Sequence, residues 1–232
     1  MYKGQKSIRN GIEDFLCPFT DMYMTCGPNE SKFHMGTMAI DVRGEEPGVC
    51  YAYYAPATVR CIRTYPESGQ VMWQTIDRVR CSNGYIGKVT FMTCHDNTMD
   101  AVPNLVIPQG MQLGNMGTKG NATGVHCHIE CSQSDSTNWT RNYFGNYCFD
   151  SEVDPEDVFF MNETNILNGI GAWKYLKDVP AEIVDQILHV GSIVRLTGEY
   201  KVKEINVPEN KAMIEIDGVD TWISSTPLEE IG

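Results

Sequence analysis

The 232-residue sequence contains no run of about 18 apolar residues, so no membrane-spanning helix is expected. Lys3, Lys6 and Arg9 are not followed by an apolar stretch, and no secretory leader is expected. Among nine cysteines there is no Cys-x-x-Cys pair, which removes the main support for a zinc ribbon or a thioredoxin-like redox site. Basic charge is scarce. Eighteen Lys and Arg face thirty Asp and Glu, for a net charge of −12. Lys and Arg do not cluster, and a nucleic-acid partner held through its phosphates is excluded. Repeats and low-complexity tracts are missing as well.

What is present is ordinary globular material. The chain is 42% hydrophobic and 21% charged, enough apolar residues for a core, and unlike a disordered tail, a collagen rod or a coiled coil. The length allows one or two domains. Residues 1–150 carry a net −2 and residues 151–232 a net −10, a shift that hints at a boundary. All nine cysteines lie before residue 150, and with no leader they are expected to be reduced thiols.

Between about 33 and 131 the sequence reads as short strands with Gly and Pro punctuation. The runs are Val49–Ala55, Thr58–Arg63, Val71–Val79 and Tyr85–Thr93. Residues 132–152 read as a polar loop studded with aromatics. Asp154 and Pro155 mark a helix start, as N-cap and first helical residue. Residues 162–180 read as a linker with short helical pieces, and Pro180–His189 as a helical or extended lead-in. From about 190 onward short alternating segments, with turns at Pro208-Glu209-Asn210 and Asp217-Gly218, predict a small all-β barrel.

Only five histidines occur, and four fall in three contexts: Phe33-His34-Met35-Gly36 with Ile40-Asp41 beyond it, Cys94-His95-Asp96, and His126-Cys127-His128-Ile129-Glu130. On a strand, residues two apart share a face, so His126 and His128 project together and Cys127 points away. Taken singly, each context also has a plain structural reading: a surface histidine pair, an aspartate capping a turn, a histidine satisfied at a strand end. Alternation also sets Cys94 and His95 on opposite faces, which argues against a Cys/His peptidase pair.

Taken together the contexts resemble the zinc metallopeptidases of the lysostaphin type, family M23. The matching block is Lys119-Gly120-Asn121-Ala122-Thr123-Gly124-Val125-His126-Cys127-His128-Ile129-Glu130, preceded by Ile107–Gly117 with Gly110, Gly114 and Gly117. The family's first motif is His-x-Gly-x-Asp. Here His34 and Asp41 stand further apart, and Thr37-Met38-Ala39 are expected to form a longer turn or bulge between them. Cys127 replaces the family's usual leucine between the two histidines. The resemblance implies Zn2+ held by His34, Asp41 and His128. It implies that His126 and His95 stay unliganded and handle the proton of the attacking water, with His126 favoured as base. Glu130 is either a partner that fixes an imidazole tautomer or a surface acid.

Residues 190–232 resemble, more loosely, the bacterial SH3-like modules of phage lysins, with Trp222 and Tyr200 as groove residues or Trp222 as barrel core. The resulting expectation is a mainly β chain. An antiparallel M23-type peptidase domain (1–160) is joined by a partly helical linker (161–189) to an SH3-like wall-binding barrel (190–232). The implied partner is the peptide part of bacterial peptidoglycan, with no membrane insertion; the sequence leaves the oligomeric state open, a monomer being favoured. Without a leader, the chain is expected to be made in a host cytoplasm and to reach the wall after release, as a phage or prophage endolysin. The rivals are a catalytically dead wall-binding relative and a virion-associated hydrolase.

Overall fold

The computed structural model describes residues 1–98, 100–179, 202–206, 208, 211–216 and 219–224. It divides into two compact units, Met1–Val184 and Asp185–Gly232, and it is mainly β, as expected.

The first unit is built on a nine-stranded sheet. Its strands in chain order are β1 (Asp21–Cys26), β2 (Ile40–Arg43), β3 (Val59–Tyr65), β4 (Gln70–Thr75), β5 (Thr90–Cys94), β6 (Val106–Ile107) and β7 (Cys127–Ser132). Across the sheet they run β6-β3-β4-β5-β7-β2-β1, all antiparallel. Asn165–Ile166 adds a parallel edge beside β1, and Glu152–Val153 pairs with β7. Alternation sets the two faces. Cys127, Ile129 and Cys131 of β7, Ile40 and Val42 of β2, and Met22 and Met24 of β1 enter one core with Phe15, Trp73 and Phe91. His128, Glu130 and Asp41 occupy the alternate positions, on the opposite face.

Several sequence expectations shift. Val71–Val79 is not one strand: β4 stops at Thr75, and Val79–Arg80 joins a separate small sheet. Tyr85–Thr93 likewise splits into Ile86–Gly87 and β5. Only Ala52–Tyr54 of the Val49–Ala55 run is strand. Residues 132–152 are not a plain loop. They hold a hairpin, β8 (Trp139–Arg141) and β9 (Tyr147–Phe149), pinned where Phe149 is buried against Met72, Met92 and Cys94. Its three-residue strands are too short for a periodic signal. The predicted helix start holds: Asp154 accepts a hydrogen bond from the Glu156 amide, and Pro155 opens a single turn, Pro155–Val158. Residues 161–179 pack on the first unit, through Met161 and Trp173 in its core and a 3-10 turn at Leu176–Asp178.

In the second unit, β10 (Val202–Asn206), β11 (Lys211–Ile216) and β12 (Val219–Ser224) form an antiparallel meander; Glu209, Asn210, Asp217 and Gly218 of the two expected turns lie outside the described residues. No closed barrel is formed among the described residues. Ile214 is buried, whereas Trp222 is 43% exposed and so is not a core residue here. Pro180–His189 and Tyr200 lie outside the described residues.

Candidate metal and catalytic site

Strand register lines up the site. Asp41 on β2 pairs with His128 on β7, His128 pairs with Cys94 on β5, and Cys26 on β1 pairs with Asp41. His34 comes from the turn before β2. Its chain reverses at Gly36, whose φ of +74° suits glycine. Thr37 folds back, its amide and hydroxyl both donating to the His34 carbonyl, and the Met38 amide donates to Glu152 Oε2 at 2.8 Å. The longer turn thus absorbs the extra residues and still brings His34 Nε2 to 3.2 Å from Asp41 Oδ1.

Three imidazole nitrogens converge on that one carboxylate oxygen: His128 Nδ1 at 2.9 Å, His34 Nε2 at 3.2 Å and His126 Nε2 at 3.6 Å. Each ring is held from behind. The His34, His95 and His126 Nδ1–H groups donate to the carbonyls of Gly27 (3.0 Å), Lys119 (2.8 Å) and Gly124 (2.8 Å). Those bonds commit each Nδ1 to the backbone and leave Nε2 as the ring nitrogen available to the site. His128 is reversed: its Nε2–H donates to Glu130 Oε1 at 3.0 Å, so Nδ1 faces Asp41. Trp139 in turn donates to Glu130 Oε2 at 2.7 Å. Of the two readings of Glu130, the structure selects the tautomer-fixing partner, since the residue is 2% exposed.

Electrostatics follows from this packing. Burial pushes the Asp41 carboxyl up, but His128 and His34 outweigh it and hold Asp41 well below the usual carboxylate range. Burial works against charge on His128 too. Asp41 and Glu130 overcome it and raise His128 to about 10. The cluster therefore favours a positive charge between Asp41 and the rings. A cation bound by His34 Nε2, Asp41 Oδ1 and His128 Nδ1 would meet that demand. Zinc ligands with bonds of about 2.0–2.1 Å stand about 3.3 Å apart in a tetrahedron, close to the 2.9 and 3.2 Å found here. The donor chemistry, two imidazoles and a carboxylate, fits zinc.

His95 reaches the site by a backbone exception. It follows the last residue of β5 with φ of +78°, a left-handed conformation costly for a residue with a Cβ. The twist breaks strand alternation, so Cys94 and His95 both line the same cleft, contrary to the sequence expectation. Burial, with nearby acids, pushes the Cys94 thiol up, which disfavours the thiolate that a cysteine nucleophile needs. The His95 ring lies 4.5 Å from that of His126, and burial lowers His95 to about 4. Gly117 exchanges two backbone hydrogen bonds with His126, and a Cβ there would meet the His95 carbonyl at 2.2 Å. The motif glycine is therefore what lets the two histidines stand side by side.

The cleft over these groups has a volume of about 330 Å³ and is walled by Phe33, Asn121, Trp139, Arg141 and Tyr147. Trp139 stacks on Tyr147, with centroids 4.6 Å apart. Sequence reasoning did not point to Trp139, Tyr147 or Cys26. The sulfur of Cys26 and the ligating atoms of His34 and Asp41 all lie within 4.8 Å of one another. All nine cysteines are free. Glu130→Gln should weaken zinc binding about 10–100-fold, because the second carboxylate that orients His128 is lost. Competition with a chromophoric chelator measures this, and unchanged affinity would refute the role.

No family model matches the chain. It is 30% identical over 166 residues to morphogenesis protein 1 of Bacillus phage B103, a match covering 71% of this chain and 45% of that protein. The chain thus spans less than half the length of this relative. Among solved structures, a zinc-containing peptidase from Vibrio cholerae aligns with a TM-score of 0.34 and 17% identity, over 47% of this chain and 32% of that one. A point mutant of the catalytic domain of the prophage-encoded M23 protein EnpA from Enterococcus faecalis aligns with a TM-score of 0.35 and 17% identity, over 55% and 88%. These structural likenesses are loose.

Proposed function

We propose that this chain is a zinc-dependent endopeptidase of the M23 type that cleaves peptide bonds in bacterial peptidoglycan, in a phage context. The observation that carries the reading is the convergence of three tautomer-fixed imidazoles on Asp41 Oδ1, with His95 beside them. His34, Asp41 and His128 would hold the metal. Bound zinc supplies Lewis acidity, polarising the scissile carbonyl and making water acidic enough to ionise near pH 7.

The chain's own groups do the rest. His126, with Nδ1 anchored on the Gly124 carbonyl, presents Nε2 to take the proton of the attacking water and pass it to the leaving amine. His95, neutral through burial, stands beside it to orient the water and the developing oxyanion. The β8–β9 hairpin positions the substrate chain along the cleft through Trp139, Tyr147 and Arg141. The exposed Trp222 of the second unit supports an SH3-like wall-binding role for residues 190–232.

Release of free amines from purified Gram-positive peptidoglycan tests the reading. Release should stop with a chelator and return with zinc. No release across several wall types would favour a catalytically dead wall-binding protein. The phage morphogenesis relative favours a particle-associated hydrolase over a free endolysin. Detection of the chain in purified virions would support that second reading, and its absence from them would support the endolysin.

A further inference from the structure

We propose that Cys26 is a fourth metal ligand, whose thiolate closes the site in the resting protein by taking the position that a catalytic zinc leaves for water. This rests on the metal-site reading above. Strict alternation along β1 would send Cys26 into the core with Met22 and Met24. Instead the register shifts: Met24 pairs with Val42, yet Cys26 pairs with Asp41, leaving Thr25 as the extra residue. Such a bulge turns the side chains after it to the other face and is a recurrent device beside functional sites. Cys26 therefore joins the face that carries Asp41 and His128, with its sulfur in the same 4.8 Å cluster as the donors of His34 and Asp41.

Chemistry and access agree with this placement. Cysteine, histidine and aspartate are all zinc ligands, and four protein ligands are the mark of a closed site, three of an open one. Cys26 is half-buried and lines a groove that shares Phe33, Asp41, Thr123 and His126 with the catalytic cleft. The other thiol in the cross-strand row, Cys94, is 2% exposed and accepts a hydrogen bond from Gln70 at 3.4 Å. Ligation releases the Cys26 proton to solvent, since a coordinating thiol is deprotonated by the cation. The reverse step, protonation and departure of the sulfur, reopens the position for water.

The test is titration of the full metal-free chain with Co2+, followed in the near-ultraviolet, where thiolate-to-cobalt charge transfer absorbs. The wild type should develop this band to saturation at one equivalent. Cys26→Ser and Cys26→Ala should still bind one equivalent without the band, and Cys94→Ser should keep it. With zinc, the two Cys26 variants should release peptidoglycan amines several-fold faster than wild type. A wild type without the band, a band that survives in both Cys26 variants, or variants no faster than wild type would overturn the proposal. If no protein releases amines, the proposed hydrolysis fails, while the cobalt band still decides whether Cys26 is a ligand.

Discussion

His128→Ala should weaken zinc binding by more than about 100-fold and abolish amine release. The residue holds two carboxylates at once, Asp41 through Nδ1 at 2.9 Å and Glu130 through Nε2 at 3.0 Å. Loss of a partner behind a ligand costs about 10–100-fold in metal affinity, and loss of the ligand itself should exceed that. It also leaves Glu130, 2% exposed, without the imidazole that compensates its burial. Some loss of thermal stability is therefore expected alongside the loss of metal. His34→Ala separates the two effects, because its ring touches no second carboxylate: it should lose metal with less loss of stability. Metal analysis after dialysis, with a melting curve for each variant, reads both. Wild-type zinc affinity in His128→Ala would remove it from the ligand set.

The second large effect has the opposite signature. His126→Ala should keep zinc and lose amine release by about 10²–10⁴-fold, the range for removal of a positioned general base. The reason is where its ring stands. Nε2 lies 3.6 Å from Asp41 Oδ1, the longest of the three approaches, and Nδ1 is anchored on Gly124. The ring faces the metal position without adding a needed ligand. His95→Ala should fall in the same range, and the double variant should cost much less than the sum of the two, since paired groups act as a unit. Burial holds His95 near 4, so the acid limb of the rate profile above about pH 5 belongs to groups other than His95. Full activity in His126→Ala would refute the mechanism, and loss of zinc in it would move His126 into the ligand set.

The two results bear on how much was written in the sequence. His126 and His128, with Gly110, Gly114 and Gly117 ahead of them, carried the family resemblance that implied the chemistry, and the glycines sit where a Cβ would clash or the backbone is left-handed. A Cβ on Gly114 would meet the Asp96 carboxylate at 2.2 Å, one on Gly117 the His95 carbonyl at 2.2 Å, and Gly110 lies at φ of +80° against the Gln5 backbone. Strand periodicity likewise marked which residues of β7 face the core, because burial on one side imposes a period of two.

The sequence by itself determined the β class, the helix start at Asp154 and the set of histidines, since each rests on local chemistry: alternation, capping and side-chain type. Tertiary structure alone decided the rest, where local rules are broken by a single residue or joined across distant segments. The positive φ of His95 undoes the alternation that would have turned it from the cleft. The bulge at Thr25 brings Cys26 round to Asp41. The hairpin at 139–149 reaches Glu130 through the Trp139 indole and is pinned by Phe149 against β4 and β5. None of these has a periodic signature, because each depends on register and backbone twist between strands far apart in the chain.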